Sequence, residues 1–212
     1  MDTNELVRSL AADHGWRARP VGMVLAVALV VALPVTAAMF IMALGLRPDF
    51  MAATGRAFFI LKFIVTAALA LACLALALRL VQPGAPVRNA SWLLAVPVGL
   101  LAAGIVADLA LPQTSGWTAR LIGSNARVCL TAIPLLSLPP LIALLIGLRR
   151  GAATRPMLTG ALAGLGAGAI AATFYASHCA DDSPLFVATW YTIAWALVAL
   201  IGALAGRWVL RF

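Results

Sequence analysis

Six apolar runs, separated by short polar stretches, organise the chain. They cover roughly 21–46, 57–78, 92–111, 128–148, 157–177 and 186–206. A helix needs about 20 apolar residues to cross the hydrocarbon core of a bilayer, so each run predicts one transmembrane helix. The first run exceeds that length and must tilt or protrude. It opens like a signal peptide, with Arg17 and Arg19 before it and Val35-Thr36-Ala37 inside it. It continues to Leu46, past a normal signal core, which predicts a retained helix. The expected fold is all-α: a polytopic membrane helical bundle of six transmembrane helices. Residues 1–20 form an N-terminal segment and 21–212 the six-span membrane domain.

Composition supports this division. Apolar residues make up 64% of the 212, charged residues only 10%, and the mean hydropathy is +1.04. A soluble domain carries about a quarter of its residues as charges; here lipid must replace that charged skin. The net charge is +8, but the basic residues flank the apolar runs and form no continuous stripe. That excludes direct nucleic-acid binding and fits membrane insertion.

The flanking charges predict orientation through the excess of Lys and Arg on the cytoplasmic side. With the N-terminus inside, Arg8, Arg17, Arg19, Arg79, Arg88, Arg149, Arg150, Arg155, Arg207 and Arg211 are internal, ten in all. Arg47, Arg56, Arg120 and Arg127 are external, four in all. Both termini are therefore expected in the cytoplasm, in a multi-pass membrane protein.

Several features qualify the spans. Pro34, Pro97, Pro134 and the Pro139-Pro140 pair predict kinks. Gly160, Gly164 and Gly168 form a doubled GxxxG. Such a stripe allows close helix approach, either within the bundle or in a homodimer. Trp92, Trp117, Trp190, Tyr191 and Trp208 are expected as interfacial anchors.

Candidate chemistry is sparse. Cys129 starts the fourth span and Cys179 follows the fifth, next to His178, so all three share the outer face. Cys73 lies inside the second span, remote from them. Three readings of the outer pair compete. The cysteines are small apolar residues at helix ends, or they form a structural or redox-active disulfide, which needs Cα atoms within about 7 Å. Alternatively Cys129, Cys179 and His178 bind a soft metal ion, with oxygen from Asp181 or Asp182. Lys62 and Asp108 have opposite charge and matched depth near the outer ends of spans two and three, which suggests an ion pair. Asp108 is the one acid within a span, whereas a proton or ion path needs a relay of acids. A small membrane transporter or channel is therefore the alternative reading, and a quinone-linked thiol oxidoreductase lacks the CxxC it would want. There is no GxSxG, HExxH or P-loop, so no enzyme is expected. In the N-terminal segment, Asp2 or Thr3 can cap a helix over 4–14 that Gly15 ends. Leu6, Val7 and Leu10 give that helix a small apolar face, suited either to lying on the membrane or to docking a cytoplasmic partner.

Three stretches carry a family resemblance: MDTNELVRSLAADHGWRARP at the start, ARVCLTAIPLLSLPPL in span four and HCADDSPLFVATWY between spans five and six. With the six spans, they resemble the NrsF family of bacterial membrane anti-sigma factors over essentially the whole chain. The resemblance implies a protein that holds an extracytoplasmic-function sigma factor at the inner membrane and releases it under stress, including heavy metals. It also implies that Cys129 and Cys179 are the paired periplasmic cysteines linked to signal perception; Cys73 has no counterpart in that pairing.

Overall fold

The computed structural model describes residues 2–12, 20–82, 91–112 and 115–211. Six helices in it are long and apolar enough to cross a membrane, at nearly the positions the apolar runs predict. Helix α1 spans Thr3–Ala12 and α2 spans Val21–Ala43. The short α3, Phe50–Ala53, precedes α4, Ala57–Leu80. A 3₁₀ turn at Trp92–Leu94 leads into α5, Ala95–Ala110. The fourth span consists of α6 (Trp117–Ile122), α7 (Ala126–Leu136) and α8 (Leu138–Leu148). Helix α9 is Pro156–Ala176, and a turn at Pro184–Phe186 runs through a π-helical turn, Val187–Tyr191, into α10, Thr192–Val209.

Local chemistry explains the departures from simple rods. Helix α2 stops at Ala43, short of the expected Leu46, because Gly45 takes the left-handed conformation (φ 70°). The N–H groups of Leu44 and Gly45 both donate to Phe40 O, which closes the end. Pro139 and Pro140 have no N–H to donate, and the fourth span breaks at Ser137 just before them. There the Ser137 hydroxyl donates to Pro134 O at 2.6 Å.

Helix α9 is the hub, packed most extensively on α10 and α4; α2 packs on α8, and α5 on α4. Its Gly/Ala composition permits this. Added Cβ atoms on Gly160 and Gly164 would lie 2.8 and 2.9 Å from the Cα atoms of Gly206 and Ala199, and Gly202 faces Gly164 in return. This glycine face is filled by α10 of the same chain, the first of the two expected uses of the stripe, and the alternative homodimer through Gly160, Gly164 and Gly168 has no free stripe to use. The partner glycines, Gly202 and Gly206, form a GxxxG of their own.

The described helix α1 begins as expected, with Asn4 N–H donating to the Asp2 carboxylate at 3.5 Å. Val7 is exposed. The expected end at Gly15, the basic residues Arg17, Arg19 and Arg88, and the side chains of Leu6 and Leu10 lie outside the described residues.

Candidate functional site

The described connections lie at the two ends of the bundle. One end gathers residues 44–56, the α6–α7 corner and the loop 177–183. That loop, Ser-His-Cys-Ala-Asp-Asp-Ser, ties the end together.

Its two adjacent carboxylates reach in different directions. Asp182 accepts from Lys62 Nζ at 2.6 Å and from Arg47 Nη1 at 3.0 Å, and Arg56 stands 3.6 Å away. Arg47 also binds Asp49 at 2.6 Å. Lys62 is 1% exposed and its ammonium also donates to Cys179 O at 2.8 Å. It sits 5.0 Å from the centre of the Phe59 ring. Arg47 donates to the same Cys179 carbonyl at 3.2 Å, and its N–H donates to Ser177 O at 3.1 Å. Asp181 turns to the start of α7 and accepts from the N–H groups of Ser124 and Asn125 at 3.0 and 2.8 Å. A carboxylate is favourable at such a helix N-terminus. Gly123 makes room for it, with φ 59° and an Asp181 carbon 2.9 Å from where a Cβ would stand.

Electrostatics at this end follow from the geometry. The hydrogen bond from Arg47 holds the Asp49 carboxyl below its ordinary value of 3.8, and Asp49 in turn raises Arg47. Burial pushes the Cys179 thiol up, against the opposing pull of Lys62. A buried, protonated thiol is a poor nucleophile and a poor metal ligand until it is opened to solvent.

Under the loop lies an aromatic and thiol pocket. Cys129, Cys179, Tyr175, Phe186 and Tyr191 are fully buried in one core cluster. The two thiols and Tyr175 lie within electrostatic range of one another. The Tyr175 and Tyr191 rings are 5.8 Å apart. The Tyr191 hydroxyl has no nitrogen or oxygen hydrogen-bond partner among the described residues and faces the Cys179 thiol. The π turn sets this arrangement: Trp190 reaches back to donate to Leu121 O at 2.9 Å, while Tyr191 turns inward. Tyr191 is thus a core residue, not the interfacial anchor its position suggests.

Three sequence expectations change here. Lys62 and Asp108 are not partners: Lys62 pairs with Asp182, and Asp108 with Arg120 at 3.0 Å. Matched depth did not decide the pairing, because Asp182 of the loop and Arg120 of the short α6 fold back onto the helix ends. All three cysteines are free thiols, so no disulfide joins Cys129 to Cys179. Among the described residues no group of three His, Cys, Asp or Glu side chains assembles to hold a metal. His178 does not group with the thiols as a ligand set, and its Nδ1 lies 3.1 Å from Gly45 O. Cys73 packs beside Gly166, ten residues or about 15 Å along α9 from Ala176, and so stands apart from the pair. Arg47 and Asp182, the centre of the network, were missed as a pair; their signal was the rarity of acids outside the N-terminal segment.

The fold and site define a helical bundle with six helices long and apolar enough to cross a bilayer, with Asp49, Asp108, Asp181, Asp182 and the Cys129 and Cys179 thiols gathered at one end. The chain belongs to the NrsF family, described as negative regulator of sigma F, whose model matches residues 10–212. It is 37% identical over 216 residues, with all of both chains covered, to a protein of Caulobacter vibrioides (strain NA1000 / CB15N) named anti-sigma-F factor NrsF. It is 33% identical over 135 residues to a protein of Azospira oryzae named probable anti-sigma-F factor NrsF, covering 64% of this chain and 63% of that one. No solved structure matches it.

Proposed function

We propose that this protein is a membrane-embedded anti-sigma factor that sequesters a sigma factor of the extracytoplasmic-function type and releases it under stress. The observation that carries the reading is the full-length match to a protein named as an anti-sigma-F factor. In this reading the six helices span the bacterial inner membrane with both termini in the cytoplasm, and residues 1–20 dock the sigma factor. Ten basic residues on the terminal side against four on the other support that orientation.

The signal, redox or heavy-metal stress, acts at Cys129 and Cys179 in the periplasmic half. Two features favour this pocket as the input. The Tyr191 hydroxyl has only the weakly bonding Cys179 thiol beside it, so a rearranged pocket can gain by giving it a stronger partner. The Cys179 carbonyl is also held by Lys62 and Arg47. Any shift of Cys179 therefore moves charges on α4 and on the link between α2 and α4. A signal is effective only through different affinity for the two states, and the hinge at Ser137 with the close α9–α10 contact offers a two-state element.

The test has two parts. The sigma factor should co-purify with the full chain from detergent, and removal of residues 2–12 should abolish capture; retained capture would remove the docking role. Replacing Cys129 and Cys179 together with serine should abolish induction by an oxidant or cadmium; unchanged induction would remove the sensing role.

A further inference from the structure

The opposite end of the bundle, where α9 begins and α10 ends, holds a cleft of about 390 Å³. Its walls are Arg155, Pro156, Met157, Leu158, Arg207 and Arg211. The helices meet tightly here: a Cβ on Gly206 would stand 2.6 Å from Pro156 O. That contact brings Arg155 at the start of α9 close to Arg207 at the end of α10.

None of the three guanidinium groups has a carboxylate partner among the described residues. The contrast with the other end is chemical. Asp49, Asp108, Asp181 and Asp182 all lie there, and each is engaged by a base or by backbone N–H groups. Three like charges around one cleft create a field that an anion relieves, and a planar guanidinium fork matches a phosphate.

The cleft is also two-faced. Met157 and Leu158 are 50% and 43% exposed beside the arginines, so an apolar wall continues from the charged mouth. Arg207 and Arg211 rest against the Trp208 ring, 5.7 and 5.8 Å from its centre. Trp208 is exposed, as an indole at the level of lipid headgroups is. A free phosphate would use the arginines and leave the wall idle. An acidic protein segment would not need an apolar strip running along the side of the helices. A phospholipid uses both.

We propose that this cleft binds the phosphate headgroup of an anionic phospholipid, with an acyl chain lying along Met157 and Leu158. The proposal rests on the membrane reading above.

The test is native mass spectrometry of the full chain in detergent with phosphatidylglycerol or phosphatidylcholine added. Phosphatidylglycerol should bind the more tightly. Replacing Arg155, Arg207 and Arg211 together with glutamine should weaken it roughly tenfold or more, while Arg149→Gln with Arg150→Gln, at the same end but outside the cleft, should change it less than about twofold. Equal binding of the two lipids, an equal loss in the control variant, or full displacement by millimolar inorganic phosphate would overturn the proposal. If the triple variant gives no cooperative melt, Arg211→Gln alone should weaken phosphatidylglycerol roughly threefold; no change would overturn it. Loss of sigma-factor capture by the triple variant with lipid binding intact would make the cleft a protein-docking face and overturn it too. Arginine-dependent lipid binding in a wild-type chain that captures no sigma factor would count against the proposed function alone.

Discussion

The two ends of the bundle use charge in opposite ways. At the end built around residues 177–183, Arg47, Arg56 and Lys62 face Asp49 and Asp182 at 2.6 to 3.6 Å, and two of the bases are almost wholly buried. At the other end Arg149, Arg150, Arg155, Arg207 and Arg211 are all exposed. The first arrangement is costly to desolvate and so demands completeness; losing one member leaves a charge stranded. The second is solvated and tolerant. Similar residue types therefore make a structural lock at one end and a receptive surface at the other.

Substitutions can break this contrast. Asp182→Asn should have the largest effect, because it strands Lys62 in the core. Removing one partner of a buried pair costs about 3–5 kcal/mol, to be read from unfolding in detergent. A cost below about 1 kcal/mol, the value of a surface pair, would show that the lock is solvated after all. Asp181→Asn should cost less, about 0.5–2 kcal/mol, the range of a lost helix cap, and should loosen hydrogen exchange at the start of α7. Acid probes Asp49. Its folded pKa is depressed by Arg47, so its contribution is present above the unfolded value near 3.8 and is lost as pH falls below it. The melting temperature should therefore fall below that point, less steeply in Asp49→Asn; identical acid slopes would remove Asp49 from the lock. Smallest of all, Arg149→Gln should change stability by no more than about 0.5 kcal/mol.

Hydropathy alone placed the six long helices, because a run such as 57–78 has no other way to satisfy its backbone in lipid. Their ends were less legible. The stop after Ala43 depends on Gly45 turning left-handed, and the break at Ser137 depends on which of several prolines the bundle tolerates. The thiol pair was readable from its flanking motifs, and its burial as free thiols was one of the three readings open; the pocket around it was not, since a π turn at Val187–Tyr191 sets it and leaves no periodic trace. Ion pairing was the least legible. Lys62 and Asp108 looked matched along the helix axis, yet their partners come from the 177–183 loop and the short α6, whose placement is a tertiary property. The glycines of α9 were visible as a contact face; the matching Gly202 and Gly206 were equally visible and identify α10 as the other side.

The burial of Cys179 has a kinetic consequence. A thiol at zero exposure reacts only while the loop is transiently open. Its labelling rate should rise with reagent concentration and then level off at the opening rate, once capture outpaces reclosing. In the proposed sensing role the response would then have an internal clock, set by how often Lys62 and Arg47 release the loop, and a brief pulse of reagent would pass unrecorded however concentrated it was.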